Sequence, residues 1–135
     1  MANTPAVESS SQPIDLTAAQ QRGQFYINPS ELLINEERNG RWFPYTQQQI
    51  MSNALSLHNS GQLHPVYVTK LPEGSKKQYE VRIGYGRTLG ALWLNGNEAQ
   101  YKKTPFELAC VDVTGMAEEE IEDLGTIENA QRNML

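Results

Sequence analysis

Between Thr46 and Asn95 the chain passes through helix, strand, strand and helix, and that order leaves few folds open. Thr46 with Gln49 three residues on fits a capping box, in which each side chain satisfies the other's free backbone amide. Ile50, Ala54 and Leu57 then recur at i, i+4 and i+7, and Gly61 is placed to end the helix in a left-handed cap. Pro65-Val66-Tyr67-Val68-Thr69-Lys70 is β-branched and aromatic, Pro72 to Gly74 marks a turn, and Gln78 to Ile83 reads as the return strand. Gly84-Tyr85-Gly86 breaks that strand. Arg87 to Asn95 carries Leu89, Leu92 and Trp93 at helical spacing and stops at Asn95-Gly96. A strand that is half of a hairpin argues against the doubly wound sheet that a Gly84-x-Gly86-x-x-x-Gly90 pattern would otherwise bring to mind.

The flanks complete an α+β reading. Phe25-Tyr26-Ile27 is a short strand stopped by Asn28-Pro29, and Ser30 to Ile34 leads into the turn-rich Asn35 to Gly40. Phe106 to Val111 gives another strand. A last helix starts at about Ala117, with Ile121 and Leu124 inward and Glu118, Glu119, Glu120, Glu122 and Asp123 mostly outward. Acidic residues in its first turn suit the positive end of the helix dipole. Met1 to Gln24, rich in Asn, Thr, Pro, Ser and Gln, has too few large hydrophobes to offset its ordering entropy, so residues 1–24 are expected to form a flexible arm and 25–135 one domain. The expected fold is a small mixed sheet packed with helices.

Composition excludes several classes. Eleven Lys and Arg against 16 Asp and Glu give a net charge of -5, which does not suit a protein that coats nucleic acid or a membrane surface by charge alone. One cysteine, Cys110, excludes an intramolecular disulfide framework. There is no long apolar run and no basic-then-apolar leader, so a cytoplasmic protein is expected.

Three passages carry residues suited to chemistry. At Ile83 to Ala91 a glycine turn opens a helix; Gly84 and Gly86 allow close backbone approach, and Arg87 adds a permanent charge with a fork of donors, a combination suited to phosphate. The ordinary alternative is a tight turn whose glycines serve sterics. Ser60-Gly61-Gln62-Leu63-His64-Pro65 joins a helix to a strand, where Gln62 can face a ligand or the glycine and proline can simply shape the junction. Glu128-Asn129-Ala130-Gln131-Arg132 places acid, amides and cation on adjacent helical turns; the ordinary alternative is a solvated face with a Glu128–Arg132 pair worth about 0.3–0.5 kcal/mol. His58 and His64 are too few for a metal cage. Arg38, Arg41, Trp42, Phe43 and Tyr45 form a basic-aromatic cluster able to stack on bases, or to pack over a sheet edge.

Together and in this order, the three passages resemble the ParB/sulfiredoxin superfamily, and more closely the N-terminal domain of ParB-type partition proteins, over roughly Tyr26 to Leu135. The resemblance implies a nucleoside triphosphate site, typically for CTP with Mg2+, lined by three motifs. Gly61, Gln62 and Pro65 match the Gly-Gln-x-Gln-Pro loop, with His64 in place of its second Gln. Gly84 and Arg87 match the Gly-Glu-Arg-Arg-x-Arg-Ala turn, and Glu128, Asn129, Gln131 and Arg132 match the Glu-Asn-x-Gln-Arg helix. It further implies that Arg87 and the Gly84–Gly86 turn hold phosphates, Glu128 and Asn129 hold magnesium, and Gln62 with Arg132 closes the site.

The chain departs from the motif at Tyr85, Gly86 and Leu89, where the family has Glu, Arg and a later Arg. Each charge-assisted hydrogen bond is worth about 1.5–3 kcal/mol, so losing two cations costs several decades of affinity unless Gly86 compensates through its amide. Sulfiredoxin chemistry is disfavoured, since its catalytic cysteine falls at Tyr85 and Cys110 reads as buried in a strand. The implied role is a nucleotide-binding module in plasmid, phage or chromosome DNA partition, with DNA a potential partner and a homodimer the family's habit. The DNA-reading helix-turn-helix of partition proteins would follow Leu135, so specific DNA reading is not expected from these residues. The alternatives are a metal-dependent nuclease or NTP hydrolase, for which only Glu128 has a motif behind it, and a protein-interaction domain whose pocket has decayed.

Overall fold

A computed structural model describes residues 22–35, 45–97 and 105–133, with backbone alone at 129 and 131–133. The strands are β1 (Gln24–Ile27), β2 (Leu32–Leu33), β3 (Val66–Lys70), β4 (Tyr79–Ile83) and β5 (Leu108–Asp112), and the helices are α1 (Gln47–Ser60), α2 (Tyr85–Asn95) and α3 (Glu118–Asn133). The strands form one mixed sheet in the order β1-β5-β3-β4-β2. β1–β5 and β3–β4 are antiparallel, whereas β3–β5 and β2–β4 are parallel.

α1 forms where its cap demands. The Gln49 amide donates to Thr46 Oγ1 at 3.1 Å and the Thr46 amide donates to Gln49 Oε1 at 2.8 Å, so both orphan amides are satisfied by side chains. Gly61 ends the helix at φ 80°, a backbone conformation that favours glycine.

β3 lies at the centre of the sheet, which is why Val66, Tyr67 and Val68 are buried in succession and do not alternate with polar residues. Val66, Val68, Val81, Leu108 and Cys110 pack with Ala54 and Leu57 of α1 and with Tyr85, Ala91 and Leu94 of α2. Tyr67, Val111 and Val113 pack with Ile121 and Leu124 of α3, with Ile83 against them. Helices therefore cover both faces of the sheet.

The β3–β4 register slips between Tyr67 and Val68, which pair with Ile83 and Val81 and leave Arg82 as an extra residue. Such a bulge re-aims the side chains beside it. It turns Ile83 onto the α3 face, where the residue lies 3.6 Å from the position a Gly125 Cβ would take, and Arg82 pairs with Glu118 in the first turn of α3. The sheet thus delivers Gly84 and the start of α2 to an end of the sheet that α3 also overlooks.

The expected strands and helices are present with shifted ends. β1 begins at Gln24, one residue before the expected start of the domain, and residues 1–21 of the expected arm lie outside the described residues. α2 begins at Tyr85, with Gly84 as its cap. Pro29–Glu31 makes a short 3-10 turn into β2, an edge strand. In the basic-aromatic cluster, Tyr45 packs against the core beside Gly86, and Arg38, Arg41, Trp42 and Phe43 lie outside the described residues. No described helix is long and apolar enough to cross a membrane.

Candidate functional site

Gly84 sits at φ 108°, ψ 33°, a left-handed position that lets β4 turn directly into α2. Glycine is required there on a second ground. A Cβ would stand 3.0 Å from Val66 Cγ2 and 3.3 Å from both Nε and Nη2 of Arg87. The Arg87 guanidinium therefore lies folded over the turn. Thr88, fully buried, donates from Oγ1 to the Gly84 carbonyl at 3.0 Å, and its amide does the same. No side chain caps α2, so its first-turn amides keep the partial positive charge of a helix start.

Arg87 reaches from α2 to α3, although those helices cover opposite faces of the sheet. Its Nη2 donates to Glu128 Oε1 at 2.9 Å, and the two side chains are only 13% and 6% exposed. Nε and Nη1 of Arg87 are also buried, and neither has a hydrogen-bond partner among the described residues. Buried donors are costly to leave unmade, so this guanidinium holds unused capacity for an acceptor. The Tyr67 phenol lies in the same electrostatic neighbourhood: burial and then the Glu128 carboxylate raise its pKa above the ordinary value, with Arg87 pulling the other way.

The glycine two residues on does a different job. A Cβ on Gly86 would meet Asn53 Nδ2 at 2.8 Å and Tyr45 Cε1 at 3.4 Å, while one on Gly90 would meet the Ala54 amide nitrogen at 2.9 Å. Gly86 and Gly90 are four apart on α2 and form the seam along which α1 approaches, so the absence of side chains there serves helix packing. Asn53 Nδ2 donates to the Gly86 carbonyl across the same seam, at 3.3 Å.

Gln62 is committed to the backbone. Its Nε2 donates to the carbonyls of Ala109 and His64, each at 2.9 Å, and its Oε1 accepts from the Ala109 amide at 2.8 Å. The carboxamide thus continues the β3–β5 ladder just before β3 begins, and it pins the Gly61–Pro65 loop to β5. Glu128 is paired with Arg87, 41 positions away in sequence. The side chains of Asn129, Gln131 and Arg132 lie outside the described residues, though their backbone belongs to α3.

No protein-family model and no curated protein matches the chain. Among solved structures it is similar to the C-terminally truncated chromosome-partitioning protein ParB from Caulobacter crescentus complexed with CTP-γ-S, with a TM-score of 0.57 and 17% identity over 81% of this chain and 53% of that one. The fold is ParB-like. Another structure of that protein, complexed to the centromeric parS site, aligns at a TM-score of 0.47 and 18% identity, over 82% of this chain and 50% of that chain. The chain spans about half the length of the structures it matches.

Magnesium takes a near-octahedral oxygen shell and is commonly held by carboxylates that face it freely. Glu128 is buried and already engaged by a guanidinium, and the described residues contain no group of three or more His, Cys, Asp and Glu able to hold a metal ion. Of the two expected ligands, Glu128 thus meets a guanidinium already, and the Asn129 side chain lies outside the described residues. Cys110 takes no part in the site: it is fully buried in β5, and burial pushes its thiol up to about 12.

Proposed function

We propose that this chain is a ParB-like nucleotide-binding module that acts in DNA partition or a related plasmid or phage DNA transaction. One observation carries the reading: Arg87, whose Nε and Nη2 lie against the Gly84 turn at the start of α2, keeps buried Nε and Nη1 donors without partners among the described residues. A planar fork of N–H groups beside a helix start is suited to a polyphosphate. The shared fold supports the reading, since the similar Caulobacter ParB was solved with CTP-γ-S, and CTP is the first ligand to try.

In this reading Arg87 and the amides of the Gly84–Gly86 turn receive phosphate oxygens. Gln62 holds the Gly61–Pro65 loop in place through Ala109, and Asn129 and Arg132 add contacts from the end of α3. DNA and a second copy of the chain are the proposed macromolecular partners. Calorimetric titration with CTP, ATP and GTP tests the reading, with Arg87→Ala expected to weaken binding by about ten- to a hundredfold.

A second reading has one observation in its favour. Tyr85 is buried in the core and Leu89 is half-buried, so two positions that carry charge in the resembled motif are built into packing here. A domain that binds another protein through a ParB-like frame, with no nucleotide, would give no heat with any of the three ligands. The nuclease alternative draws no support from the described residues.

A further inference from the structure

We propose that the site takes its nucleotide as the free polyanion, without a divalent cation, and that the Arg87 guanidinium stands where a metal would otherwise join carboxylate to phosphate. The inference rests on the nucleotide reading above and adds the chemical state of the ligand. A metal that bridges Glu128 to a phosphate needs the carboxylate oxygens turned toward the incoming phosphate. Here Oε1 accepts from Arg87 Nη2 at 2.9 Å, and the Glu128 side chain is 6% exposed. A dication bound to that carboxylate would sit against a permanent cation inside a poorly solvated site, where like charges repel strongly. Among the described residues no group of three or more His, Cys, Asp and Glu offers a second place for such an ion.

The electrostatic demand of the site is the opposite one. The guanidinium gives one donor to Glu128, which fixes its plane, and keeps Nε and Nη1 buried without partners among the described residues. Those donors need acceptor oxygens, which a phosphate supplies and a cation cannot. Glu128 is then a positioning residue: it orients Arg87 and does not touch the ligand. A carboxylate so close to the phosphates also repels them, so the pair holds Arg87 in place at some expense in affinity.

The test is CTP titration of the full chain in excess EDTA and again in millimolar magnesium, together with Glu128→Gln. The expected result is binding in EDTA that is no weaker than about twofold relative to magnesium, with no heat from magnesium alone. Glu128→Gln keeps an acceptor for Nη2 while removing the negative charge, and is expected to bind CTP about threefold tighter or better. Binding that falls by about tenfold or more in EDTA, or that is abolished in a folded Glu128→Gln, overturns the proposal. The EDTA comparison needs no variant and stands if the substitution unfolds the chain. Absence of heat with CTP, ATP and GTP in both buffers is a different outcome: it removes the nucleotide reading itself, and this inference with it.

Discussion

Arg87 and Glu128, 41 positions apart in sequence, meet at 2.9 Å and tie α2 to α3 across the end of the sheet. Both side chains are largely buried, so each is the other's charged partner in a poorly solvated setting. Arg87→Ala is expected to cost roughly 3 kcal/mol, since it strands the Glu128 carboxylate in the interior. The double variant Arg87→Met with Glu128→Leu should recover most of that stability while nucleotide binding stays weakened by about tenfold or more. Urea denaturation of the single and double variants reads the first effect, and titration with CTP the second.

The α1–α2 seam makes an ordered prediction. Gly90→Ala brings a Cβ within 2.9 Å of the Ala54 amide nitrogen and 3.0 Å of the Asn53 carbonyl carbon, both backbone. It should destabilise the fold by about 1–3 kcal/mol, despite a helix-propensity gain of up to about 1 kcal/mol. Gly86→Ala meets the movable Asn53 amide first and should cost less. Thermal melts that rank Gly86→Ala as the more damaging would refute this account of the seam.

Gln62→Ala leaves both the amide and the carbonyl of Ala109 without their partner. A loss of roughly 2 kcal/mol is expected, together with faster hydrogen exchange at the Ala109 amide. If Gln62 served the ligand alone, stability and exchange would stay at wild-type values.

The buried thiol predicts an alkaline liability. Burial raises Cys110 from 9.0 to about 12, so above pH 9 the unfolded chain releases a proton that the folded chain retains. The unfolded state then binds fewer protons, and stability falls as pH rises through that window, by roughly 1 kcal/mol per pH unit. Tyr67, also raised, works in the same direction above its ordinary value of 10.0. Between about pH 8 and about pH 10.5, Cys110→Ala should lose less stability than wild type in urea titrations. An equal loss in both proteins would show that the thiol is not responsible.

Local chemistry was readable from the chain and long-range pairing was not. The Thr46–Gln49 box, the Gly61 cap and the β3–β4 hairpin rest on neighbours within a few residues, so residue types alone point to them. The parallel β2–β4 pairing and the β1-β5-β3-β4-β2 order depend on contacts between distant segments, and nothing in the two-residue strand Leu32–Leu33 announces them. The same divide runs through the site. Gly84, Arg87 and Glu128 stand out as residues, but helical spacing offers Arg132 to Glu128, and only the fold brings Arg87 to it. Gly86 has a packing role that its place beside a phosphate-type turn does not announce: a Cβ there would meet Asn53 Nδ2 at 2.8 Å. A Gly-x-x-x-Gly spacing read as a helix-packing signal could have found that role.

The most direct measurement is the side-chain Nε–H resonance of Arg87, assigned by its loss in Arg87→Lys and followed by NMR as CTP is added in EDTA. A phosphate accepted by the buried Nε–H should shift that signal and slow its exchange with water, with saturation at the stoichiometry of calorimetry. A resonance that stays in place while CTP saturates the protein would contradict the assignment of Arg87 as the phosphate anchor.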